Sequence, residues 1–400
     1  MKILKISFIT ALLFFTASPL FAATATPPTP PTPPAPQPSA SSPLAQPPAP
    51  PPLTAKSWLL LDYNSDHVIA SQEPDERIEP ASLTKLMTVY IAFDALKHKR
   101  ITLDQNVQVS TKAWKTGGSR MFIEPNKPVT VEQLIHGIIV QSGNDAAVAL
   151  AETVAGSTDV FAQMMNREAK RLGMTHTHFV NPDGLPNPQH YTTARDLSTL
   201  TAALIRDFPE YYPYFAVKKF TYNNITQPNR NRLLWLDPTV DGLKTGHTEE
   251  AGYCLIASAK RGDRRLISVV LGTPSDSARV SDSQKLLNYG FQFYDDARLY
   301  QAKQAAATLP VYKGKESSVK AGFTHDVYLT VPKGAAKRLK ATLDSRQPLI
   351  APIAVGQQVG TMKISLDGKP VTELPVVALS DVGQAGFFKR GWDAIRLWFK

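Results

Sequence analysis

The hydrophobic pattern becomes regular at Lys56 and stays so almost to the end of the chain. Ser57-Trp58-Leu59-Leu60-Leu61-Asp62 and Val68-Ile69-Ala70 are apolar runs separated by Tyr63-Asn64-Ser65-Asp66, which predicts a β-hairpin. Residues 83–96, 131–140, 145–155 and 159–172 read as helices, the last stopped by Gly173. Residues 252–259 and 265–271 are rich in β-formers and joined by Arg261-Gly262-Asp263, a second predicted hairpin. Residues 281–294 read as a closing helix. Outer strands around a block of helices imply one mixed sheet with helices packed on it, an α/β (α+β) architecture over residues 54–300.

Beyond Tyr300 short alternating runs take over: 327–331, 358–365 and 371–379, the last two joined by Leu366-Asp367-Gly368-Lys369 as a hairpin turn. They predict a small all-β domain, a β-sandwich, at 301–385. Residues 386–400 return to a helical period. At about 100° per residue, Phe387, Phe388, Trp392, Ile395, Trp398 and Phe399 share one arc, with Lys389, Arg390, Asp393, Arg396 and Lys400 opposite and Leu397 the exception. An aromatic face backed by a basic one is expected of a helix lying in a membrane interface.

Ahead of the globular part, Lys2 and Lys5 precede an apolar run at 6–21 and the small residues Ala22-Ala23-Thr24-Ala25. This reads as a secretory signal, residues 1–25. The run is short of the roughly 20 residues a spanning helix needs, and no cysteine follows it to carry a lipid. Residues 26–53 form a Pro/Ala/Ser/Thr tract holding 14 of the 33 prolines, expected to be an extended polyproline II spacer.

Composition narrows the chemistry. The chain is 43% hydrophobic and 20% charged, enough for a true core. The single cysteine, Cys254, excludes an intrachain disulfide and a cysteine-rich metal site, and is expected buried in its strand. Eight histidines without HExxH spacing make a zinc enzyme unexpected. The net charge of +10 is not spread evenly: residues 54–300 carry 27 basic and 27 acidic side chains, and the excess lies mainly after residue 300. No nucleic acid partner is indicated; an anionic membrane surface is the simpler partner of the C-terminus.

Three short segments carry candidate chemistry. Ser82-Leu83-Thr84-Lys85 opens a predicted helix, and i, i+3 spacing sets the Lys85 ammonium beside the Ser82 hydroxyl. A serine needs an adjacent base to act as a nucleophile, and a lysine serves if its pKa is lowered. The helix start adds positive potential where an oxyanion would form. Ser142-Gly143-Asn144 joins two predicted helices and offers a hydroxyl and an amide. Lys244-Thr245-Gly246-His247 opens a β-run, expected on a sheet edge, with a glycine that lets substrate approach the backbone. Ser317-Ser318-Val319-Lys320 and Lys115-Thr116-Gly117 repeat two of these patterns out of order and context.

S-x-x-K, S-x-N and K-T-G in that order resemble the penicillin-binding proteins and serine β-lactamases. Residues 79–88, 141–145, 181–185, 193–197 and 241–248 look like those of the low-molecular-mass D-alanyl-D-alanine carboxypeptidases with a C-terminal β domain and an amphipathic anchor. The resemblance covers roughly residues 55–400, and the long proline tract is a departure from it.

It implies a transpeptidase-like catalytic domain and a periplasmic enzyme, attached peripherally to the outer face of the inner membrane. The enzyme would need no cofactor. It would trim pentapeptide stems of peptidoglycan and be blocked covalently by β-lactams. Ser82 would be the nucleophile, Lys85 the general base, and Ser142 a proton relay. Asn144 would bind the substrate backbone; Lys244 would position the terminal carboxylate and keep Lys85 neutral by repulsion. The amides of Ser82 and His247 would form the oxyanion hole, Thr245 and Gly246 would line the substrate, and Arg279 would bind the carboxylate.

Rival readings are weaker. A class A β-lactamase needs a glutamate between S-x-N and K-T-G, and none occurs between Glu168 and Glu210. A D,D-endopeptidase would share the three motifs but not call for the β domain and anchor. A non-catalytic wall-binding scaffold fits poorly with three intact motifs.

Overall fold

The computed structural model describes residues 47–398. The signal-like segment, the proline tract up to residue 46, Phe399 and Lys400 lie outside the described residues.

In chain order the first body comprises β1 (Ser57–Asp62), β2 (His67–Gln72), α1 (Lys85–Lys97), α2 (Thr111–Lys115), α3 (Val131–His136), α4 (Asn144–Ala155), α5 (Thr158–Leu172), α6 (Ala194–Asp207), β3 (Lys219–Tyr222), β4 (Ile225–Pro228), α7 (Leu233–Leu236), β5 (Val240–Thr248), β6 (Gly252–Arg261), β7 (Arg264–Thr273) and α8 (Asp276–Phe293). Five strands form one sheet in the order β2-β1-β7-β6-β5, antiparallel throughout and not the mixed sheet expected, because β1–β2 and β5–β6–β7 are consecutive hairpins and β1 runs against β7.

The unbroken apolar run of β1 has a simple cause: the sheet is covered on both faces. Leu59 and Leu61 join the larger core built on α1, α4 and α6. Trp58 and Leu60 point the other way, into a second core with Leu286 and Leu287 of α8. α1 is buried along nearly its whole length, which is why its sequence is apolar on every side.

Sequence and structure differ at some boundaries. α8 begins at Asp276, earlier than expected, because the Ser275 hydroxyl caps it by accepting from Ala278 N at 3.1 Å. α6 was not anticipated, although Thr193 caps it through Asp196 N and Leu197, Leu200 and Leu204 recur at core spacing. The end of the proline tract is not a free spacer. Pro48 O accepts from Tyr289 Oη at 2.8 Å, Leu53 packs on the second core, and Thr54 donates twice to Asp282 Oδ2.

The second body comprises β8 (Tyr294–Tyr300), β9 (Ala305–Tyr312), β10 (Ser318–Gly322), β11 (Val327–Pro332), β12 (Leu339–Ser345), β13 (Leu349–Ile350), β14 (Gln358–Leu366) and β15 (Lys369–Ala378). β8 pairs with β11, and the rest form a sheet in the order β12-β14-β15-β10-β9-β13. The β14–β15 turn has Asp367 and Gly368 at φ 53° and 79°, the conformation that favours this residue pair.

A final helix, α9 (Phe387–Trp398), reverses the usual docking of an amphipathic helix. Its buried residue is Asp393, whose carboxylate accepts from Lys313 N at 2.7 Å. Phe387, Phe388, Trp392, Ile395 and Trp398 all face outward. Among the described residues no helix is long and apolar enough to cross a membrane.

Candidate active site

Ser82 does not open α1. It sits in a 3-10 turn, Ala81–Thr84, and the regular helix starts at Lys85. The turn is bent by Ala81, whose φ of +46° is unusual for a residue with a side chain. Two glycines permit the bend to be packed. A β-carbon on Gly184 would fall 1.8 Å from Ala81 O, and one on Gly246 would crowd Leu83 and Pro80. Gly246 therefore brings β5 against the serine turn, a closer reason for a glycine there than substrate access.

Lys85 is 1% exposed. Its Nζ donates to Ser82 Oγ at 2.9 Å, to Asn144 Oδ1 at 2.7 Å, and to the main-chain oxygen of Asp183. Burial lowers its pKa from the ordinary 10.5 to about 8; Asp183 and Asp145 oppose the shift and Arg230 assists it. The expected repulsion from Lys244 is thus secondary to desolvation. The repulsion registers on Lys244 instead, held well below its ordinary value first by burial and then by Lys85, Arg230 and Arg279.

Ser142 is delivered by a break in helical winding. After α3 the chain widens into a π-helical turn, Gly137–Gln141, and Ser142 closes it in the left-handed conformation at φ 65°. Gly143 N reaches back to Gly137 O at 3.0 Å. A left-handed residue at a helix end is usual and normally a glycine; the bond here spans one residue more than in an ordinary ending, because the turn is π-helical. Here a serine occupies the left-handed position and turns its hydroxyl to Lys244 Nζ, which donates at 2.9 Å. Such strain is typical of residues held for function.

Asn144 starts α4 and is braced: its Nδ2 donates to Gly117 O at 2.8 Å and its backbone N to Ser119 O at 2.7 Å. Gly117 belongs to the out-of-order K-T-G, so that segment serves the site as a wall. The neighbouring Asp145, fully buried, accepts from the amides of Met121, Phe122 and Ile123 and fixes the same wall.

β5 is a sheet edge, as expected of Lys244-Thr245-Gly246-His247. Lys244 and Thr245 are buried; His247 is exposed, its ring 4.0 Å from that of Tyr253 on β6. Arg279 reaches the site from α8 and is 6% exposed. Its guanidinium donates to Gly246 O at 3.0 Å, to Cys254 O at 3.3 Å and to Asp276, so much of it braces β5 and β6. Cys254 itself is fully buried, which raises its pKa to about 11.

These side chains surround a cleft of about 250 Å³ lined by Ser82, Ser119, Ser142, Arg230, Thr245, Gly246, His247, Tyr253 and Arg279. Ser119, Arg230 and Tyr253 were not singled out in the sequence, where no spacing marks them. Among the described residues neither Lys85 nor Lys244 pairs with a carboxylate, and no three His, Cys, Asp or Glu side chains converge as metal donors. A serine bonded to a buried lysine, beside further cations, is the arrangement of a serine acyl-transfer enzyme suited to a substrate ending in a carboxylate.

Comparison with known proteins narrows that class. Residues 44–275 match the family described as D-alanyl-D-alanine carboxypeptidase, peptidase S11, and residues 294–384 match the C-terminal domain of penicillin-binding protein 5. The chain is 44% identical over 357 residues to the D-alanyl-D-alanine carboxypeptidase DacC of Escherichia coli, covering 87% of this chain and 89% of that one. The crystal structure of penicillin-binding protein 5 from Haemophilus influenzae superposes with a TM-score of 0.81 at 42% identity, over 84% of this chain and 99% of that one. Penicillin-binding protein D2 of Listeria monocytogenes, solved in its ampicillin-bound form, matches at TM-score 0.56 and 31% identity, over 60% of this chain and 98% of that one. The chain belongs to the S11 family of D-alanyl-D-alanine carboxypeptidases.

Proposed function

We propose that the protein removes the terminal D-alanine from peptidoglycan pentapeptide stems, with Ser82 as the attacking group. The observation that carries this is the Lys85 Nζ shared between Ser82 Oγ at 2.9 Å and Asn144 Oδ1 at 2.7 Å. Neutral Lys85 takes the Ser82 proton as Oγ bonds to the carbonyl carbon of the penultimate D-alanine. The amides of Ser82 and His247 hold the resulting oxyanion. The carbon–nitrogen bond then breaks, and the proton held by Lys85 passes through Ser142 to the leaving amine, which returns Lys85 to its neutral form. Water, deprotonated by Lys85, attacks the ester carbonyl; the bond to Oγ breaks, Oγ takes the proton back from Lys85, and the shortened stem leaves as a carboxylate.

Lys244, Thr245 and Arg279 receive the substrate carboxylate, Gly246 lines its path, and Asn144 positions the stem peptide. β-Lactams present a similar carbonyl and carboxylate and acylate Ser82. No cofactor takes part.

Residues 1–25 are a secretory signal, 26–53 a linker whose end docks on the first body, 54–293 the catalytic domain and 294–385 the β-sandwich domain, which takes β8 across the expected boundary at 300. Residues 386–400 are an interfacial membrane helix, whose outward Phe387, Phe388, Trp392 and Trp398 support that part of the reading. The protein works in the periplasm, on the outer face of the inner membrane.

The test is free D-alanine released from N-acyl-L-Lys-D-Ala-D-Ala, wild type beside Ser82→Ala. Release by wild type alone is expected. Release by Ser82→Ala, or a penicilloyl mass on it, overturns the assignment of Ser82. Absence of release by folded wild type overturns the carboxypeptidase reading.

A further inference from the structure

His190 belongs to none of the three motifs, yet it is 2% exposed immediately behind Lys85. Its two ring nitrogens are both used. Nδ1 lies 3.1 Å from Val180 N, which can only donate, so Nδ1 accepts. The proton of the neutral ring is then on Nε2, which donates to Thr84 Oγ1 at 2.7 Å. Thr84 lies inside the serine turn, between Ser82 and Lys85. Val180 opens the loop that carries Asp183 and Gly184.

The loop and the turn are already in contact elsewhere. Asp183 O accepts from Lys85, Thr88 Oγ1 donates to Pro182 O at 2.6 Å, and Gly184 lies against Ala81 O. The loop is shaped by its own turns: Gly184 N donates to Asn181 Oδ1 at 2.7 Å, and Leu185 N to Asp183 Oδ1 at 3.0 Å. What these bonds lack is a link from the loop's start to the middle of the turn. The imidazole supplies it.

We propose that His190 is a positioning residue that locks the Ser82 turn to the 180–185 loop, and so keeps the Asp183 carbonyl over Lys85 and water away from it. The proposal rests on the carboxypeptidase reading above and deepens it. The ring must be neutral to do this, since an imidazolium has no acceptor for Val180 N–H. Burial, with His178 and Lys85 nearby, holds its pKa down at about 4. The lock therefore persists through the working range of a periplasmic enzyme. The groups facing Lys85 are Asp183, Asp145 and Arg230, with Lys244 across the cleft, and none of them replaces the loop as a cover.

Loosening the lock has a defined direction. Water reaching Lys85 weakens the desolvation that depresses its pKa, which then climbs towards the ordinary lysine value. The rising limb of kcat/KM moves to higher pH, and activity at pH 7 falls.

The experiment compares His190→Asn, His190→Gln and Thr84→Val with wild type, by pH profile of D-alanine release and by amide exchange of residues 180–185. Asn can still accept from Val180 but cannot reach Thr84; Gln can place an N–H near the Nε2 position. Expected are a fall of about tenfold at pH 7 with an alkaline shift of the limb for His190→Asn and Thr84→Val, faster exchange in both, and rescue by His190→Gln. Unshifted limbs in folded His190→Asn and Thr84→Val, even at lowered melting temperature, overturn the proposal. If the histidine variants do not fold, Thr84→Val decides. If wild type releases no D-alanine, the carboxypeptidase reading fails by itself, and exchange at 180–185 still judges the lock.

Discussion

A β-carbon added to Gly246 would stand 3.2 Å from Leu83 Cγ, so the K-T-G strand and the serine turn touch at backbone distance. Pro80 O would lie equally close, and Ala81 Cβ at 3.3 Å. Side chains can yield a few tenths of an ångström, but the carbonyl is part of the turn itself. Gly246→Ala is expected to cost about 1–3 kcal/mol, as overpacking does, and to slow acylation by moving Ser82 away from β5. Urea unfolding and the rate of β-lactam adduct formation by mass spectrometry check both parts.

The pH profile should follow Lys85. As a base it acts only when neutral, and its pKa is about 8. Below that value kcat/KM should fall with acid, approaching about tenfold per pH unit, and it should level off above it. A profile already flat from pH 6 upward would contradict the role.

Lys85 should also weaken the fold it serves. Its pKa is lower in the folded chain than in the unfolded one, so the unfolded state holds the proton more tightly. Stability then rises with pH between about 8 and the ordinary 10.5, and the full penalty applies below 8. That penalty is about 3 kcal/mol. Lys85→Met removes it but leaves Ser82 Oγ, Asn144 Oδ1 and Asp183 O without their donor, at about 1–3 kcal/mol for each buried acceptor, so its stability at pH 7 should lie at or below that of wild type, with activity lost and the rise above pH 8 gone. Urea midpoints of the two proteins at pH 7 and pH 9.5 decide; an equal rise in Lys85→Met would refute the argument.

Helix α9 should separate docking from membrane binding. Phe388→Ser with Trp392→Ser removes two exposed aromatics, each worth about 1.5–3 kcal/mol when buried. Sedimentation with anionic vesicles should fall by about a hundredfold or more, with the unfolding transition unchanged. Asp393→Ala should instead undock the helix from Lys313 N and leave vesicle binding intact.

The parts of the site legible in the sequence were those tied to local spacing. Ser82 and Lys85 meet across one helical turn, and Lys244 lies on an edge strand whose apolar run continues into β6. The supports were not legible, because they come from contacts made at long range. Asp183 offers Lys85 a main-chain oxygen, which any residue could offer; Gly117 does the same for Asn144. Arg230 reaches the cleft from a segment without regular structure. α6 was missed although its capping threonine and leucine spacing were visible. The polarity of α9 was clear, whereas its seating on the β domain by the charged face was not, because a buried Asp393 runs against the rule that apolar faces dock.

The wide turn at Gly137–Gln141 makes helical winding a component of the active site. Successive residues of an ordinary helix are rotated by about 100°. The π-turn holds one residue more than an α-turn would. Exchanging Ile138 or Ile139 for another apolar residue would leave that count intact, but removing either one would let the helix close normally. Ser142 N–H would then still meet Gly137 O; it is tightening the turn with the residue count unchanged that would swing Ser142 about 100° away from Lys244. The wide turn is therefore what lets this stretch carry its extra residue and still aim Ser142 at Lys244.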